Sequence, residues 1–151
     1  MPITNYPFGI PEGFRLKKPA LPIILYNPAN DPADEFEYRT IALIDTGADI
    51  TIIPEYIAKA LNHNIRHPDV ETIYSWGIGG DTKVYLHTFS MDVLYVDAHG
   101  TIGDKVVIQI PPTKFHVVAG LGTVVLGEND FLNKYILSIH YPKQIFSVKN
   151  P

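Results

Sequence analysis

The sequence has no cysteine in its 151 residues, and it has little positive charge. Without cysteine, disulfide bonds and thiolate metal ligands are excluded, and a nucleophile would be an oxygen atom, a lysine or a water molecule. The formal net charge is -4, and Lys17-Lys18 is the only adjacent basic pair. This charge balance is unfavourable for binding a polyanion, so we expect no nucleic-acid partner.

Long apolar segments are missing as well. No run in the sequence approaches the length of a membrane span, and residues 1–18 lack the basic region and apolar core of a secretory signal. We therefore expect no membrane partner and a cytoplasmic location. The hydrophobic fraction of 46% is nevertheless sufficient for a globular domain with an apolar core.

The composition divides the chain into an arm and a domain. Residues 1–20 contain four prolines and two glycines, which disfavour a helix and predict an extended N-terminal arm. Residues 21–151 then form a single domain. No internal repeat or low-complexity segment is present in the sequence.

Most of the domain has the pattern of short β-strands. Apolar or alternating runs bounded by turn residues predict strands at 21–26, 35–44, 50–53, 71–76, 82–96, 105–110 and 123–127. Short helices are predicted at 54–62, where Ile57, Ala58 and Leu61 form an apolar stripe, and at 128–135. The last segment, 135–149, is predicted to be a hairpin that turns at 141–144. The fold class is therefore all-β, with one or two short helices.

The stretch "IALIDTGADITIIPE", residues 41–55, places Asp45 at the end of an apolar run that predicts a strand buried on both faces. A lone buried carboxylate is costly, so Asp45 should have a partner or a function. Two carboxylates held close together share one proton, which provides a base and an acid at once. Because "DTG" occurs once, the second Asp45 would come from a second chain across a two-fold axis. Thr46 would then donate its hydroxyl across the axis, and Gly47 would let the backbones approach.

Three segments carry a resemblance to a known family. "ALIDTGADITIIPE" resembles the active-site stretch of the retroviral-type aspartic proteases, the retropepsins. "WGIGGDTKV", residues 76–84, is similar to the family's glycine-rich flap, and "VVLGENDFL", residues 124–132, is similar to its apolar-apolar-glycine segment and the following helix. The three segments occur in the family's order. The resemblance implies a closed or barrel-like, homodimeric aspartic endopeptidase that cleaves a peptide or protein substrate without a cofactor.

The resemblance also implies roles for individual residues. Asp45 of each subunit would be the catalytic residue within the Asp45-Thr46-Gly47 motif. Ala48 and Asp49 would hydrogen-bond the substrate backbone.

The flap supplies the remaining substrate-binding residues. Trp76 and Gly77 lead into a tip formed by Ile78, Gly79 and Gly80, which would close over the peptide. Trp76 would either line a substrate subsite or anchor one face of the hairpin.

The sequence departs from the family after Gly127. Family members commonly carry an arginine there, paired with the second aspartate of the active-site stretch, whereas this chain has Glu128, Asn129 and Asp130. No cation is therefore supplied to Asp49 from this segment, which is also one residue longer than the family's spacing. A catalytically silent retropepsin-like dimer that binds peptides or proteins is the alternative function.

Simpler interpretations exist for two motifs. "DTGAD" is compatible with an ordinary turn in which Asp45 caps local N-H groups and Gly47 has a positive φ. His63 and His67 stand four residues apart, but Pro68 follows at once and no HExxH motif is present. We interpret them as part of a solvated loop and expect no metal site.

Overall fold

A computed structural model of the chain describes residues 3–34, 36–77 and 80–151, with the side chains of 34, 76, 77, 80 and 81 left out of the description. Ten strands, one α-helix and two 3-10 helices are present in these residues. The strands are β1 (Ile3–Pro7), β2 (Ala20–Tyr26), β3 (Glu37–Ile44), β4 (Ile52–Pro54), β5 (Thr72–Gly77), β6 (Gly80–Val96), β7 (Ile102–Val118), β8 (Val125–Leu126), β9 (Ile136–His140) and β10 (Ile145–Lys149). Helix α1 spans Glu55–Ala60, and the 3-10 helices span Pro32–Asp34 and Leu132–Lys134.

Six of the strands close into a barrel. The larger sheet has the order β2-β3-β8-β4-β7-β6-β5, and an additional pairing between β2 and β6 closes it. Most neighbours are antiparallel, but β3 with β8 and β4 with β7 are parallel. Strand β5 extends beyond the closed part as the partner of β6. The predicted all-β, closed or barrel-like domain with short helices is confirmed.

The barrel interior is built from alternating apolar side chains, as the period of two in its strands predicts. Fully or almost fully buried residues line three of these strands: Leu21, Ile23 and Leu25 in β2, Phe89, Met91 and Val93 in β6, and Phe115 and Val117 in β7. The prediction that 41–44 is buried on both faces is wrong for the single chain. Ala42 and Ile44 are buried, but the alternate residues Ile41 and Leu43 are only half-buried because they lie on the other face of β3.

The N-terminal arm is extended, as its composition predicts, and it packs on the C-terminal hairpin. Strand β1 pairs with β10 in a three-stranded sheet of order β1-β10-β9. Ile3, Tyr6 and Phe8 belong to the same buried cluster as the barrel residues. The Tyr6 hydroxyl donates a hydrogen bond to the carbonyl oxygen of Leu94 at 3.2 Å. Strand β1 thus shares the core of the barrel, while the boundary between residues 20 and 21 stays a prediction.

The second half of the arm is held by Glu12. Its carboxylate accepts hydrogen bonds from the hydroxyls of Tyr38 at 3.1 Å, Thr40 at 3.3 Å, and Tyr56. Its backbone N-H donates to the carbonyl oxygen of Ile41 at 3.3 Å. Glu12 therefore fixes the arm against β3 and the first turn of α1.

Strand β7 is longer than its sequence predicts. The prediction ends at residue 110 because Pro111 and Pro112 follow, yet the strand continues to Val118. The register of β6 and β7 shifts by one residue at this point, from Phe89 opposite Thr113 to Met91 opposite Ile110. Such a bulge accommodates prolines, because residues in a bulge need not donate to the ladder.

The helices differ in how well the sequence predicts them. Helix α1 is confirmed, and its predicted stripe of Ile57, Ala58 and Leu61 is buried. The helix predicted at 128–135 is reduced to the 3-10 turn at Leu132–Lys134. Its first residues instead make backbone hydrogen bonds to the loop that follows β3. No helix in the described ranges is long and apolar enough to cross a membrane.

Candidate active site

The candidate catalytic residue Asp45 follows directly after β3. Two parallel pairs join this strand to β8, with Leu43 opposite Val125 and Ile44 opposite Leu126. The backbone N-H of Asp45 then donates to the carbonyl oxygen of Leu126 at 3.2 Å. The pairing of β3 with β8 therefore fixes the position of Asp45 at the end of the strand.

The DTG motif forms a tight turn stabilised by Asp45 itself. The Gly47 N-H donates to Asp45 Oδ1 at 2.9 Å, and the Ala48 N-H donates to the Asp45 carbonyl oxygen at 3.2 Å. Asp45 thus caps a local N-H group, as the simpler interpretation expects, but Gly47 does not have the positive φ expected with it. A Cβ atom at residue 47 would lie 3.2 Å from Asp45 Oδ1, so glycine keeps this contact relaxed.

The exposure of the loop corrects one expectation. Asp45 is half-buried rather than fully buried in the single chain, and Thr46, Gly47 and Asp49 are exposed. Ala48 is half-buried. The motif therefore lies at the surface of the single chain, where Thr46 and Gly47 are exposed and Asp45 is half-buried.

The segment after β8 packs against the far side of this loop. The Glu128 N-H donates to the Ala48 carbonyl oxygen and the Asn129 N-H to the Asp49 carbonyl oxygen, both at 2.8 Å. The carbonyl groups of Ala48 and Asp49 are therefore engaged within the chain, while the Asp49 side chain is exposed. Among the described residues, no basic side chain forms an ion pair with Asp49.

The backbone at Gly127 lies very close to the backbone of Ile50. A Cβ atom at this position would lie 2.2 Å from both the carbonyl carbon and the oxygen of Ile50. Contacts this short do not occur between real atoms, so no other residue fits without moving one of the segments. The glycine that the sequence places after Leu126 is therefore required by the packing of the loop.

A polar network behind the loop was not predicted from the sequence. The Asp130 carboxylate accepts from the Thr51 hydroxyl at 2.6 Å and from the Thr51 N-H at 3.0 Å. The Thr51 hydroxyl oxygen in turn accepts from the Gly127 N-H at 3.1 Å. Thr51 is completely buried, so these bonds satisfy polar groups that water does not reach. The acidic residue at 130 was visible in the sequence only as part of the segment that lacks the family's arginine.

The candidate flap is a hairpin made by β5 and β6. Its strands pair without interruption from Thr72 opposite Tyr85 to Gly77 opposite Gly80. The strands predicted at 71–76 and 82–96 are therefore confirmed, and they pair antiparallel. Ile78 and Gly79 lie outside the described residues, as does the side chain of Trp76, so the roles assigned to the flap tip and to Trp76 stay predictions.

The two histidines considered as a metal pair lie in different surroundings. The His67 ring is exposed, and its Nδ1 accepts from the Asp69 N-H at 3.1 Å. The His63 ring packs against His87 at 4.8 Å and Phe89 at 4.5 Å between centroids. Within the described part of the chain, no group of three or more potential metal ligands is present.

Comparisons with known proteins add little to this site. No protein-family model matches the sequence, and no curated protein matches it. Among solved structures, the chain is similar to EIAV protease complexed with the inhibitor HBY-793, with a TM-score of 0.40 and 19% sequence identity over 75% of this chain and 84% of that chain. The likeness bears on the fold alone, and at this score no statement about activity, substrate or assembly follows from it.

Proposed function

We propose that the protein is an aspartic endopeptidase that acts as a homodimer, with one Asp45 from each subunit. The observation that carries the proposal is the position of the motif. Asp45 lies half-buried directly after barrel strand β3, on a turn whose residues Thr46 and Gly47 are exposed. Backbone hydrogen bonds to residues 126–129 fix this turn. The resemblance of the three sequence segments to the retropepsins supports the same function.

In the proposed reaction, the two Asp45 carboxyl groups share one proton, because two adjacent carboxylates do not both ionise. The ionised Asp45 removes a proton from water as the water oxygen bonds to the scissile carbonyl carbon. The protonated Asp45 of the partner subunit donates a hydrogen bond to the carbonyl oxygen. The leaving nitrogen then takes the proton that the first Asp45 removed from water, and the C-N bond breaks. The two peptide products are released, and the carboxyl pair again holds one proton.

An extended peptide is the substrate that this arrangement favours. Peptides bind such clefts by backbone hydrogen bonds, and alternate side chains enter pockets. In the proposal, Ala48 and Asp49 lie beside the peptide, and the β5–β6 hairpin is the flap, with Gly77, Ile78, Gly79 and Gly80 at or beside its tip. Closure of the flap would exclude bulk water from the reacting bond.

The test is cleavage of a random-peptide mixture, with Asp45→Asn as the inactive control. We expect wild-type protein to cleave and the variant to have no activity. Cleavage that persists in Asp45→Asn would contradict the proposal. Peptide binding without cleavage in the wild type would instead favour the alternative, a silent peptide- or protein-binding dimer. Its motivating observation is that Asp49 forms no ion pair with a basic side chain of the described residues.

A mixing experiment tests whether two chains form the site. Wild-type chains that exchange with an excess of Asp45→Asn chains become trapped in heterodimers with a single ionisable carboxyl group. Activity per wild-type chain should then fall well below the value expected from dilution. If activity stays in proportion to wild-type chains after complete exchange, one chain is sufficient and the shared-proton argument is wrong.

A further inference from the structure

The N-terminal arm contains a loop, residues 9–18, that the proposed reaction does not use. Gly9 and Lys18 close this arm loop through two backbone hydrogen bonds of 3.0 and 2.7 Å. In its middle, the carbonyl oxygen of Glu12 accepts a hydrogen bond from the Thr123 hydroxyl. The backbone of the arm loop is therefore held in place, although residues 13–17 are exposed to solvent.

The arm loop lies on the same face of β3 as Asp45. Side chains alternate between the two faces of a strand, and Ile41 and Leu43 lie on the face opposite to the buried residues of β3. The alternation extends to Asp45, because its N-H still bonds to β8. A Cβ atom at Gly9 would lie 3.5 Å from Cγ2 of Ile41, so the loop begins against this face.

The end of the arm loop lies close to Asp45. The Ile44 N-H donates to the Pro19 carbonyl oxygen at 3.0 Å, so the chain enters β2 beside the residue that precedes Asp45. Lys17 and Arg15 lie two and four residues before Pro19, which places their backbones within about 7 and 14 Å of it. An extended peptide rises about 3.3 Å per residue. A peptide centred on Asp45 would therefore bring to the loop the residues roughly two to five positions from its scissile bond.

The arm loop is basic in a protein whose net charge is -4. It carries three of the chain's 12 lysines and arginines, namely Arg15, Lys17 and Lys18. Over the ranges that the structure describes, none of the three forms an ion pair. The acidic residue of the loop, Glu12, is engaged by three hydroxyl donors. The cations are therefore available to an anionic ligand.

The same loop exposes three large apolar side chains. Their exposed fractions are 45% for Ile10, 39% for Phe14 and 69% for Leu16. Single exposed apolar residues are normal on a protein surface, but several within one short, fixed loop indicate an interaction surface. The combination fits a partner that offers both apolar contacts and negative charge.

We infer that the arm loop belongs to the substrate site and selects peptides with aspartate or glutamate roughly two to five residues from the scissile bond. The inference rests on the proposed function, which places that bond at Asp45. The two-fold axis of the proposed dimer puts one arm loop on each side of the site, so acidic residues are favoured on both flanks. Charge and apolar exposure alone would also fit an anionic membrane or a second copy, whereas the face shared with Asp45 favours the peptide.

Cleavage of two peptide libraries tests this selection. Both have a random centre of about six residues, and they carry either two glutamates or two glutamines at each end. At about pH 5.5, free glutamate side chains are ionised. We expect the wild type to cleave the glutamate library with a kcat/KM roughly three- to tenfold higher. The difference should lie in KM, because the contacts are remote from the reacting bond, and it should shrink in about 1 M salt.

A loop variant that combines Arg15→Gln, Lys17→Gln and Lys18→Gln should cleave both libraries at similar rates. The matched control changes three exposed lysines outside the loop to glutamine and should keep the wild-type preference: Lys105, Lys143 and Lys149. The readout is a ratio within one preparation, so a smaller folded or dimeric fraction cancels. A wild type without the preference, or a loop variant that keeps it, overturns the inference.

The outcomes distinguish this inference from the proposed function. Equal, Asp45-dependent cleavage of both libraries overturns the selection and leaves the endopeptidase. If the wild type cleaves neither library, the endopeptidase is contradicted. Tighter binding of the glutamate library to Asp45→Asn protein, measured by fluorescence anisotropy and lost when the loop charges are removed, would still support the arm loop as a peptide-binding surface.

The other two occupants have their own measurements. Sedimentation equilibrium compares dimerisation of the wild type and the loop variant, and flotation compares their binding to phosphatidylserine vesicles. We expect the two proteins to behave alike in both. A loop variant that loses dimerisation or vesicle binding while its library preference is unchanged would identify a second copy or a membrane as the partner and overturn the inference.

Discussion

The paired rings of His63 and His87 predict that the protein loses stability as the pH falls from 7 to 5. Burial, and secondly the neighbouring His87, lowers the pKa of His63 from 6.5 to about 4. Burial also lowers the pKa of His87. Buried Nε2 of His63 has no hydrogen-bond partner in the described residues, so a protonated ring would carry its charge there uncompensated. The folded protein therefore keeps His63 neutral at pH 5.

The sign and size of the effect follow from proton binding. Between pH 6.5 and about 4 the unfolded chain protonates His63 while the folded chain does not, so acidification favours unfolding. With these folded and unfolded pKa values, proton linkage lowers the free energy of unfolding by about 2 kcal/mol between pH 7 and pH 5. The ring is only half-buried, and screening by water reduces the loss to roughly 1–2 kcal/mol. For a domain of this size that corresponds to a fall in Tm of roughly 2–8 °C.

The assay compares thermal unfolding of wild type and His63→Phe at pH 7 and pH 5, at one fixed protein concentration. Phenylalanine keeps a ring against His87 and Phe89 but does not titrate, so the Tm of the His63→Phe variant should fall less on acidification than that of the wild type. His67→Phe is the matched control, because that ring is exposed and outside the pair, and it should follow the wild type. Equal Tm losses in wild type and His63→Phe would refute the reasoning.

Four further predictions concern the loop, the helix and the pH-rate profile. Gly127→Ala should prevent folding or lower stability by more than about 3 kcal/mol in chemical denaturation, because its Cβ has no room against the facing backbone. Thr51→Val removes the hydroxyl that bonds to Asp130 and to the Gly127 N-H, and it should lower the free energy of unfolding by about 1–3 kcal/mol. Thr51→Ser keeps the hydroxyl and should retain most of this stability; equal losses in both variants would contradict the role of the hydroxyl. Asn27 is buried, and its side chain donates a hydrogen bond at 2.9 Å to the Leu61 carbonyl oxygen at the end of α1. Asn27→Ala should therefore lower the free energy of unfolding by about 1–3 kcal/mol. A variant as stable as the wild type would show that this bond is dispensable. If two Asp45 groups share a proton, peptide cleavage should follow a bell-shaped pH profile with an acidic maximum, whereas a rate rising steadily into alkaline pH would indicate other chemistry.

The local patterns in the sequence predict much of this fold for a definite reason. Strands β2, β3 and β6 alternate or concentrate apolar residues between turn formers, and the C-terminal hairpin turns within 141–144 where proline interrupts the pattern. These patterns involve residues that are close in the sequence, so they can be recognised without knowledge of the fold. The turn at Asp45-Thr46-Gly47 is equally local, since its hydrogen bonds join residues two and three apart.

The features that sequence patterns miss depend on distant partners. Pro111 and Pro112 suggest a strand end, but the bulge opposite Ser90 lets β7 continue. The sequence predicts a helix at 128–135, but only Leu132–Lys134 is helical, and the N-H groups of Glu128 and Asn129 bond to the carbonyl oxygens of Ala48 and Asp49. Asp130 finds Thr51 only after the chain has folded, because 79 residues separate them.

The pairing of β1 with β10 has a consequence for how the protein is made. Ile3 lies opposite Val148, so β1 can pair with its neighbour only after β10 has left the ribosome. At a synthesis rate of roughly 5–20 residues per second, the interval is about 7–30 s. During that time the buried side chains of Ile3, Tyr6 and Phe8 have no finished core to enter, and the nascent chain exposes them to chaperones. Synthesis of β10, rather than the formation of the barrel, is therefore the step that allows β1 to pair.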